Sequence, residues 1–307
     1  MSLTILAGII GISTANIFSP PGISTPIDSL KARIERRIAE QRGAVVGIAF
    51  HDLQTGDSLY WNADDSFHAA STMKVPVMIE LFRRIDAGAL RLDQGILLVN
   101  QFGSIVDGSP YSLDAGDDSD SSAYKLTGTR VALKELIDRM ITRSSNLATN
   151  ALIELVRASN ANETAHMLGA RNIRVLRGVE DGKAFRAGMN NTTTARDLAV
   201  LLEAIETGRA ASRSSCDAMR EILLDQEFND EIPAGLPGGT RVAHKTGWIT
   251  GVLHDAAVVY PPGRKPYVLV VLTRDIPDDK VARKLIADLS RIVWSHAVPG
   301  RVAAGRE

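Results

Sequence analysis

The chain contains one cysteine in 307 residues, Cys216. An internal disulfide framework and cysteine-based zinc sites are therefore excluded. Charge of one sign is also missing: 35 lysines and arginines stand against 36 aspartates and glutamates. Such a balance gives no electrostatic footprint for nucleic acid. There is no long apolar run. The best stretch, residues 3–18, is too short and too broken for a comfortable membrane span. Several motifs are absent as well: Gly-x-Gly-x-x-Gly, Gly-x-x-x-x-Gly-Lys, His-Glu-x-x-His, His-x-His and Gly-x-Ser-x-Gly. Dinucleotide enzymes, P-loop enzymes, zincins and ordinary α/β-hydrolases lose most of their support with them. The six histidines are scattered, and a lone one such as His51 or His166 reads as structural.

What remains is ordinary globular composition, 45% hydrophobic and 23% charged. Disordered, collagen-like and coiled-coil classes are excluded. The length allows one large or two ordinary domains with a sizeable core. No Lys or Arg precedes Lys31. The apolar stretch before it resembles the core of a secretory signal that lacks its basic start. Ser19-Pro20-Pro21-Gly22 then reads as a linker. Residues 1–24 are set apart from the fold, and residues 299–307 read as a frayed tail. A periplasmic or secreted location is the expectation, with no stable membrane span and no nucleic-acid partner.

Thr25-Pro26 signals a helix start, and Ile27, Leu30, Ile34 and Ile38 recur at helical spacing up to Gly43. Ala44–Phe50 and Ser58–Trp61, joined by Gln54-Thr55-Gly56-Asp57, predict a hairpin. From about Ser71 to Glu206 the pattern is almost wholly helical. Apolar stripes mark helices at Val77–Ile85, 131–141, 147–157 and Ala195–Ile205, and Cys216 falls in a further predicted helix. Ala256–Tyr260 and Tyr267–Thr273 predict a second hairpin, and Val281–Val293 a final amphipathic helix. Strands at both ends can join one antiparallel sheet with the terminal helices packed on it, while the intervening helices form a second lobe. The α/β lobe is expected from residues 25–67 and 211–298, and the helical lobe from 68–210.

Two polar stretches interrupt the helices, Gly103–Gly128 and Gly178–Asn191. Each is longer than a connection needs. The first is acidic, with Asp114, Asp117, Asp118 and Asp120. Its composition favours a disordered loop over a cleft wall.

Three short patterns carry chemistry. In Ser71-Thr72-Met73-Lys74, at a helix start, the spacing brings hydroxyl and amine together. A serine becomes a nucleophile when something takes its proton. A lysine amine can do so when burial or a second cation lowers its pKa. Pro76 lacks a backbone donor, which fits only the first turns. Ser122-Ala123-Tyr124-Lys125 repeats the spacing without a following apolar stripe and is read as a decoy. Ser144-Ser145-Asn146 offers a hydroxyl that can shuttle a proton and an amide that can hold a carbonyl; alone it reads as a helix cap. Lys245-Thr246-Gly247, just ahead of the late strands, can bind a carboxylate. Its glycine permits close backbone approach.

Together and in this order, the three patterns make the chain resemble class A β-lactamases and the related D-alanyl-D-alanine peptidases, from about Ile27 to Trp294. Met140-Ile141-Thr142 before Ser144, and Thr192-Thr193-Thr194 before a helix, add to the resemblance. It implies an α/β sandwich with an antiparallel sheet plus an all-helical lobe, with the site in the cleft between them. It implies Ser71 as the acylated nucleophile, Lys74 as proton acceptor, Ser144 as proton shuttle and Asn146 as partner of the substrate amide. Lys245 and Thr246 would bind the carboxylate, with Gly247 and Trp248 also at the substrate-binding site. The backbone N–H groups of Ser71 and Trp248 would form the oxyanion hole. Neither cofactor nor metal is expected. The expected partner is a small β-lactam or cell-wall peptide bound by a monomer. Hydrolysis through an acyl-enzyme is the leading expectation. A D-alanyl-D-alanine carboxypeptidase, an esterase or a non-hydrolytic penicillin-binding sensor is the alternative.

The chain departs from the pattern in places. Class A enzymes place a deacylating glutamate in Glu-x-x-Leu-Asn. Here the stretch reads Arg177-Gly178-Val179-Glu180-Asp181-Gly182-Lys183, leaving Glu180 as the candidate base, with Asp181 as a lesser substitute. Ser145 stands where those enzymes usually carry a loop-bracing aspartate. No arginine is evident near the carboxylate site. His254 occupies either that place or a structural one.

Overall fold

The chain is seen in a computed structural model that describes residues 26–299. The expected leader at residues 1–24, the cap Thr25 and residues 300–307 of the expected tail lie outside the described residues. Apolar spacing forms the first helix, α1 (Pro26–Ala39), which buries Leu30 and Ile34, four residues apart on one face. The strands β1 (Val45–Asp52) and β2 (Ser58–Trp61) follow as the expected hairpin.

The remaining sheet strands are β3 (Arg241–Ile249), β4 (Val252–Tyr260) and β5 (Tyr267–Arg274). The sheet order is β2-β1-β5-β4-β3, and every pairing is antiparallel. The period of two explains why these strands read as continuous apolar runs. In β5, Tyr267, Leu269 and Val271 face the core beneath α1 and the last helix, α9 (Asp279–Ala297). Val268, Val270 and Leu272 face the opposite core. Both faces are covered, so alternation disappears from the sequence.

The helical part contains α2 (Lys74–Asp86), α3 (Leu133–Thr142), α4 (Asn146–Val156), α5 (Ala158–Met167), the short α6 (Gly182–Arg186), α7 (Ala195–Glu206) and α8 (Arg213–Leu224). Helix α5 escapes the apolar-stripe reading because its buried face is Ala161, Thr164 and Ala165, small residues packed closely on α2. Helices α7 and α8 touch the sheet as well as each other, and α8 also meets α2 and α3, so they bridge the two lobes. Residue 210 lies between them.

Two expectations are corrected. Lys245-Thr246-Gly247 lies within β3 rather than ahead of the strands, and β4 begins at Val252 rather than Ala256. The acidic segment is ordered, because its carboxylates have donors to serve. Buried Asp118 accepts the backbone N–H groups of Asn146 and Leu147, both at 2.9 Å, at the start of α4. Asp120 pairs with Arg139 at 2.7 Å. A helix amino terminus with unsatisfied donors holds the loop that composition alone would leave loose.

Candidate active site

Three elements meet at the cleft floor. A 3-10 turn, Ala70–Met73, carries Ser71 and runs directly into α2, whose first residue is Lys74. Edge strand β3 passes beside that turn. A Cβ built on Gly247 would sit 3.3 Å from the Ser71 backbone nitrogen and 3.2 Å from the Ala70 Cβ. Only glycine leaves the strand this close without a shift. The third element is the connection from α3 to α4, which presents Ser144 and Asn146. These residues surround a cleft of about 940 Å³, whose lining includes Ser71, Ser144, Asn146, Glu180, Thr246 and Trp248.

The polar contacts form one network. Lys74 Nζ donates to the Ser144 carbonyl at 2.6 Å, to Ser144 Oγ at 3.1 Å and to Asn146 Oδ1 at 3.1 Å. No hydrogen bond joins it to Ser71 Oγ among the described residues. Lys245 Nζ donates to the same Ser144 Oγ, also at 3.1 Å. Ser144 thus stands between two lysines. Asn146 Nδ2 donates to Glu180 Oε1 at 2.6 Å. Lys74, Asn146 and Glu180 are joined by two consecutive hydrogen bonds.

Both lysines are fully buried. Burial first, then the charge of Lys245, holds the Lys74 amine well below its ordinary range. Burial lowers Lys245 to about 7, against the opposing pull of Asp255 and Glu231. Glu180 is pushed up by burial and by Asp118 and Asp117, while its bond to Asn146 opposes the shift. On the floor both amines are shifted toward the neutral form, the form in which a lysine can accept a proton.

Backbone strain gathers here too. Ala70, Ser144 and Glu180 have φ of 45°, 56° and 59°. A residue other than glycine in that region costs on the order of 1 kcal/mol, tolerated where surrounding contacts over-determine the geometry.

The loop carrying Glu180 is held by several side chains, of which Asn150 and Asn191 were not singled out by the sequence patterns. Asn150 lies one turn beyond Asn146 on α4. Its Oδ1 accepts Val179 N–H at 2.7 Å, and its Nδ2 donates to the Val179 carbonyl at 3.1 Å. Asn191 Oδ1 accepts Leu176 N–H at 2.8 Å, and its Nδ2 donates to the Arg177 carbonyl at 3.0 Å. Asp181 caps α6 and binds Ser104 Oγ and Ile105 N–H, both at 2.9 Å. It is thus occupied as a brace. Ser145 is buried and caps α4 by accepting Ala148 N–H at 3.3 Å. The four-residue spacing of Asn146 and Asn150 was a usable signal; the others join distant segments.

His254 is buried on β4 opposite Gly247. Its Nε2 donates to the His68 carbonyl at 2.9 Å, and its Nδ1 accepts Thr273 N–H at 3.2 Å. Burial lowers it to about 4, so it is a neutral brace rather than a cation for a carboxylate. Arg283, on α9, lines the cleft instead, together with Glu231. The decoy Ser122 binds Asp120 and Arg139, outside the cleft lining. Among the described residues no cluster of three or more His, Cys, Asp or Glu is placed to hold a metal ion.

An antiparallel sheet beside a helical lobe, with two buried lysines about one serine in the cleft, is the architecture of the penicillin-recognising serine hydrolases. The profile of the β-lactamase enzyme family matches residues 29–297. The chain belongs to that family. It is 28% identical over 267 residues to a β-lactamase of Streptomyces albus G, covering 84% of this chain and 83% of that protein. It is 30% identical over 260 residues to β-lactamase AST-1 of Nocardia asteroides, covering 82% and 78%. Among solved structures, PBP-A superposes with a TM-score of 0.76 at 29% identity, covering 89% of this chain and 97% of that one.

Proposed function

We propose that the protein is a serine β-lactamase of class A type, which opens the β-lactam ring through an acyl-enzyme on Ser71 and then hydrolyses it. The observation that carries this reading is the run of hydrogen bonds from Lys74 through Asn146 to Glu180. It ties the proton acceptor for acylation to a carboxylate able to activate water for deacylation. The relatives' names agree, and a mutant of PBP-A was solved as an acyl-enzyme complex with penicillin G.

In this mechanism the Ser71 Oγ attacks the lactam carbonyl carbon while its proton passes to the neutral amine of Lys74. The oxyanion lies between the N–H groups of Ser71 and Trp248. Ser144 passes a proton to the departing nitrogen, and the C–N bond breaks. Its contacts with both lysines, each at 3.1 Å, provide the proton route. Glu180 then takes a proton from water, which attacks the ester and releases Ser71. The substrate carboxylate is received by Lys245, Thr246 and Arg283. A monomer acting outside the cytoplasm belongs to this reading; no described helix is long and apolar enough to cross a membrane.

The test uses a chromogenic cephalosporin and a fluorescent penicillin. Colour released with turnover, and lost in Ser71→Ala, is the expected result. A long-lived label on Ser71 without turnover would instead identify a peptidase or sensor. Absence of both colour and label would overturn the acyl-enzyme.

A further inference from the structure

The end of the cleft beyond Lys245 holds a side chain of the wrong sign for a carboxylate site. Glu231 lines the cleft with Thr246, Trp248 and Arg283, yet its side chain is only 4% exposed. One oxygen, Oε1, accepts Arg283 Nε at 3.2 Å. The other, Oε2, is buried with no hydrogen-bond partner. The residue cannot easily retreat. Its neighbour Ile232 donates its N–H to Asp255 Oδ2 at 3.0 Å and accepts Ser290 Oγ at 2.9 Å. A Cβ on Gly235, four residues on, would lie 2.0 Å from the Ala287 carbonyl oxygen, so this segment is pressed onto α9.

The charged surroundings come from four directions. Asp255 on β4 faces it and is itself shared with His244 of β3 at 3.0 Å. Arg283 of α9 and Asp230 of the same loop act on it, and Glu231 in turn acts on Lys245 of β3. Burial first, then Asp255, pushes the Glu231 carboxyl up to about 7. A buried anion with one oxygen unpartnered is expensive. The neutral acid removes the charge and turns Oε2, which no donor in the protein serves, into an O–H donor. A ligand carboxylate in the cleft is an acceptor that such a donor would suit.

We propose that Glu231 is a specificity residue of the cleft, which as the neutral acid donates its Oε2 hydrogen to the carboxylate of an anionic substrate and as the anion repels that carboxylate. The proposal rests on the acyl-enzyme reading of the same site and adds a pH-dependent substrate preference to it. Below pH 7 the subsite offers an O–H donor beside Arg283 and Lys245. Above pH 7 it offers a second anion, and Lys245 loses its own charge over the same interval. Anionic substrates lose ground to neutral ones as pH rises.

The experiment measures second-order labelling of the full chain by a fluorescent penicillin and by its uncharged methyl ester, at pH 6 and pH 8.5. Taking the acid-to-ester ratio cancels titration of the acylating base. In the wild type the ratio is expected to fall about tenfold or more between the two pH values. In Glu231→Gln, whose amide can still donate, the ratio should match wild type within about twofold at pH 6 and exceed it about fivefold at pH 8.5. Loss of the Lys245 charge alone predicts no such gain. A wild-type ratio that stays flat overturns the proposal without needing any variant. Equal ratios in wild type and Glu231→Gln at both pH values overturn it too. So does an equal gain at both, which would make Glu231 a permanent anion. Absence of labelling by either probe overturns the acyl-enzyme reading itself and this proposal with it.

Discussion

The floor and the rim of the cleft are built by different physics. On the floor, Ser71, Lys74, Ser144 and Lys245 are presented by a helical turn, α2, the connection from α3 to α4 and a sheet strand, all anchored in apolar core. Their geometry follows from packing. The rim, around Glu180, has little core of its own. It is suspended from Asn150, Asn191 and Asp181 by hydrogen bonds. In the proposed mechanism the floor performs acylation and the rim completes deacylation. The two half-reactions should then be separable by substitution, because one depends on close packing and the other on a few directional bonds.

The largest effect is expected on the floor. Ser71→Ala should lower turnover of a chromogenic cephalosporin by about 10⁴-fold or more, since removing a nucleophile eliminates the covalent route. Mass spectrometry should find no adduct. Retained turnover would mean that the floor is not where acylation occurs. Next comes the rim. Glu180→Gln keeps the hydrogen bond from Asn146 but removes the base, so deacylation should slow by about 10²- to 10³-fold while labelling stays within a few-fold. The penicillin adduct would then persist in the mass spectrum. Unchanged turnover would remove Glu180 from the mechanism and break the comparison at its rim.

That division also decides what could be read from the sequence. The floor was legible because its residues are close in sequence, three apart in Ser71–Lys74 and consecutive in Lys245–Gly247, on elements whose apolar pattern announces them. The sheet and its covering helices were legible for the same reason. Of the rim, only Glu180 and its lesser substitute Asp181 were named, because the supports are single polar residues from distant segments. Asn150 and Asn191 look like any other asparagines, and Asp181 like a spare base rather than a brace, until the fold supplies the N–H groups they bind. Asp118 shows the limit of composition: an acidic stretch suggested disorder, yet two N–H groups at the start of α4 fix it. Glu231 and Arg283 lie 52 positions apart and meet only because α9 folds back over the sheet.

A rim support should have a smaller effect than the base it positions. Asn150→Ala removes both bonds to Val179, leaving its part-buried N–H without an acceptor and its carbonyl with only the Tyr111 hydroxyl at 3.3 Å. Such a loss costs about 1–3 kcal/mol. The thermal midpoint should drop by several degrees. Deacylation should slow about tenfold through misplacement of Glu180, with the labelling rate of Ser71 kept within about twofold. Failure of labelling as well would mean that Asn150 supports the floor and that the two regions are not independent.

The smallest effect sharpens the comparison from outside the cleft. Ser122 repeats the serine-to-lysine spacing of the floor, but its hydroxyl binds Asp120 and accepts Arg139 Nη1 at 3.0 Å. It sits in a 3-10 turn, Ser121–Leu126, rather than at the head of a buried helix. Its partner Lys125 is exposed, whereas Lys74 is fully buried. The Ser122 hydroxyl is already committed to Asp120 and Arg139, and no hydrogen bond joins it to Lys125 among the described residues. Ser122→Ala should therefore leave cephalosporin turnover within about twofold, and stability within the ±0.5 kcal/mol expected of a surface change. A large loss of turnover with an intact adduct on Ser71 would show that the Asp120–Arg139 pair bound by Ser122 positions the acidic segment, whose residues Gly116, Asp117, Asp118 and Ser119 line the cleft. That segment would then belong with the rim.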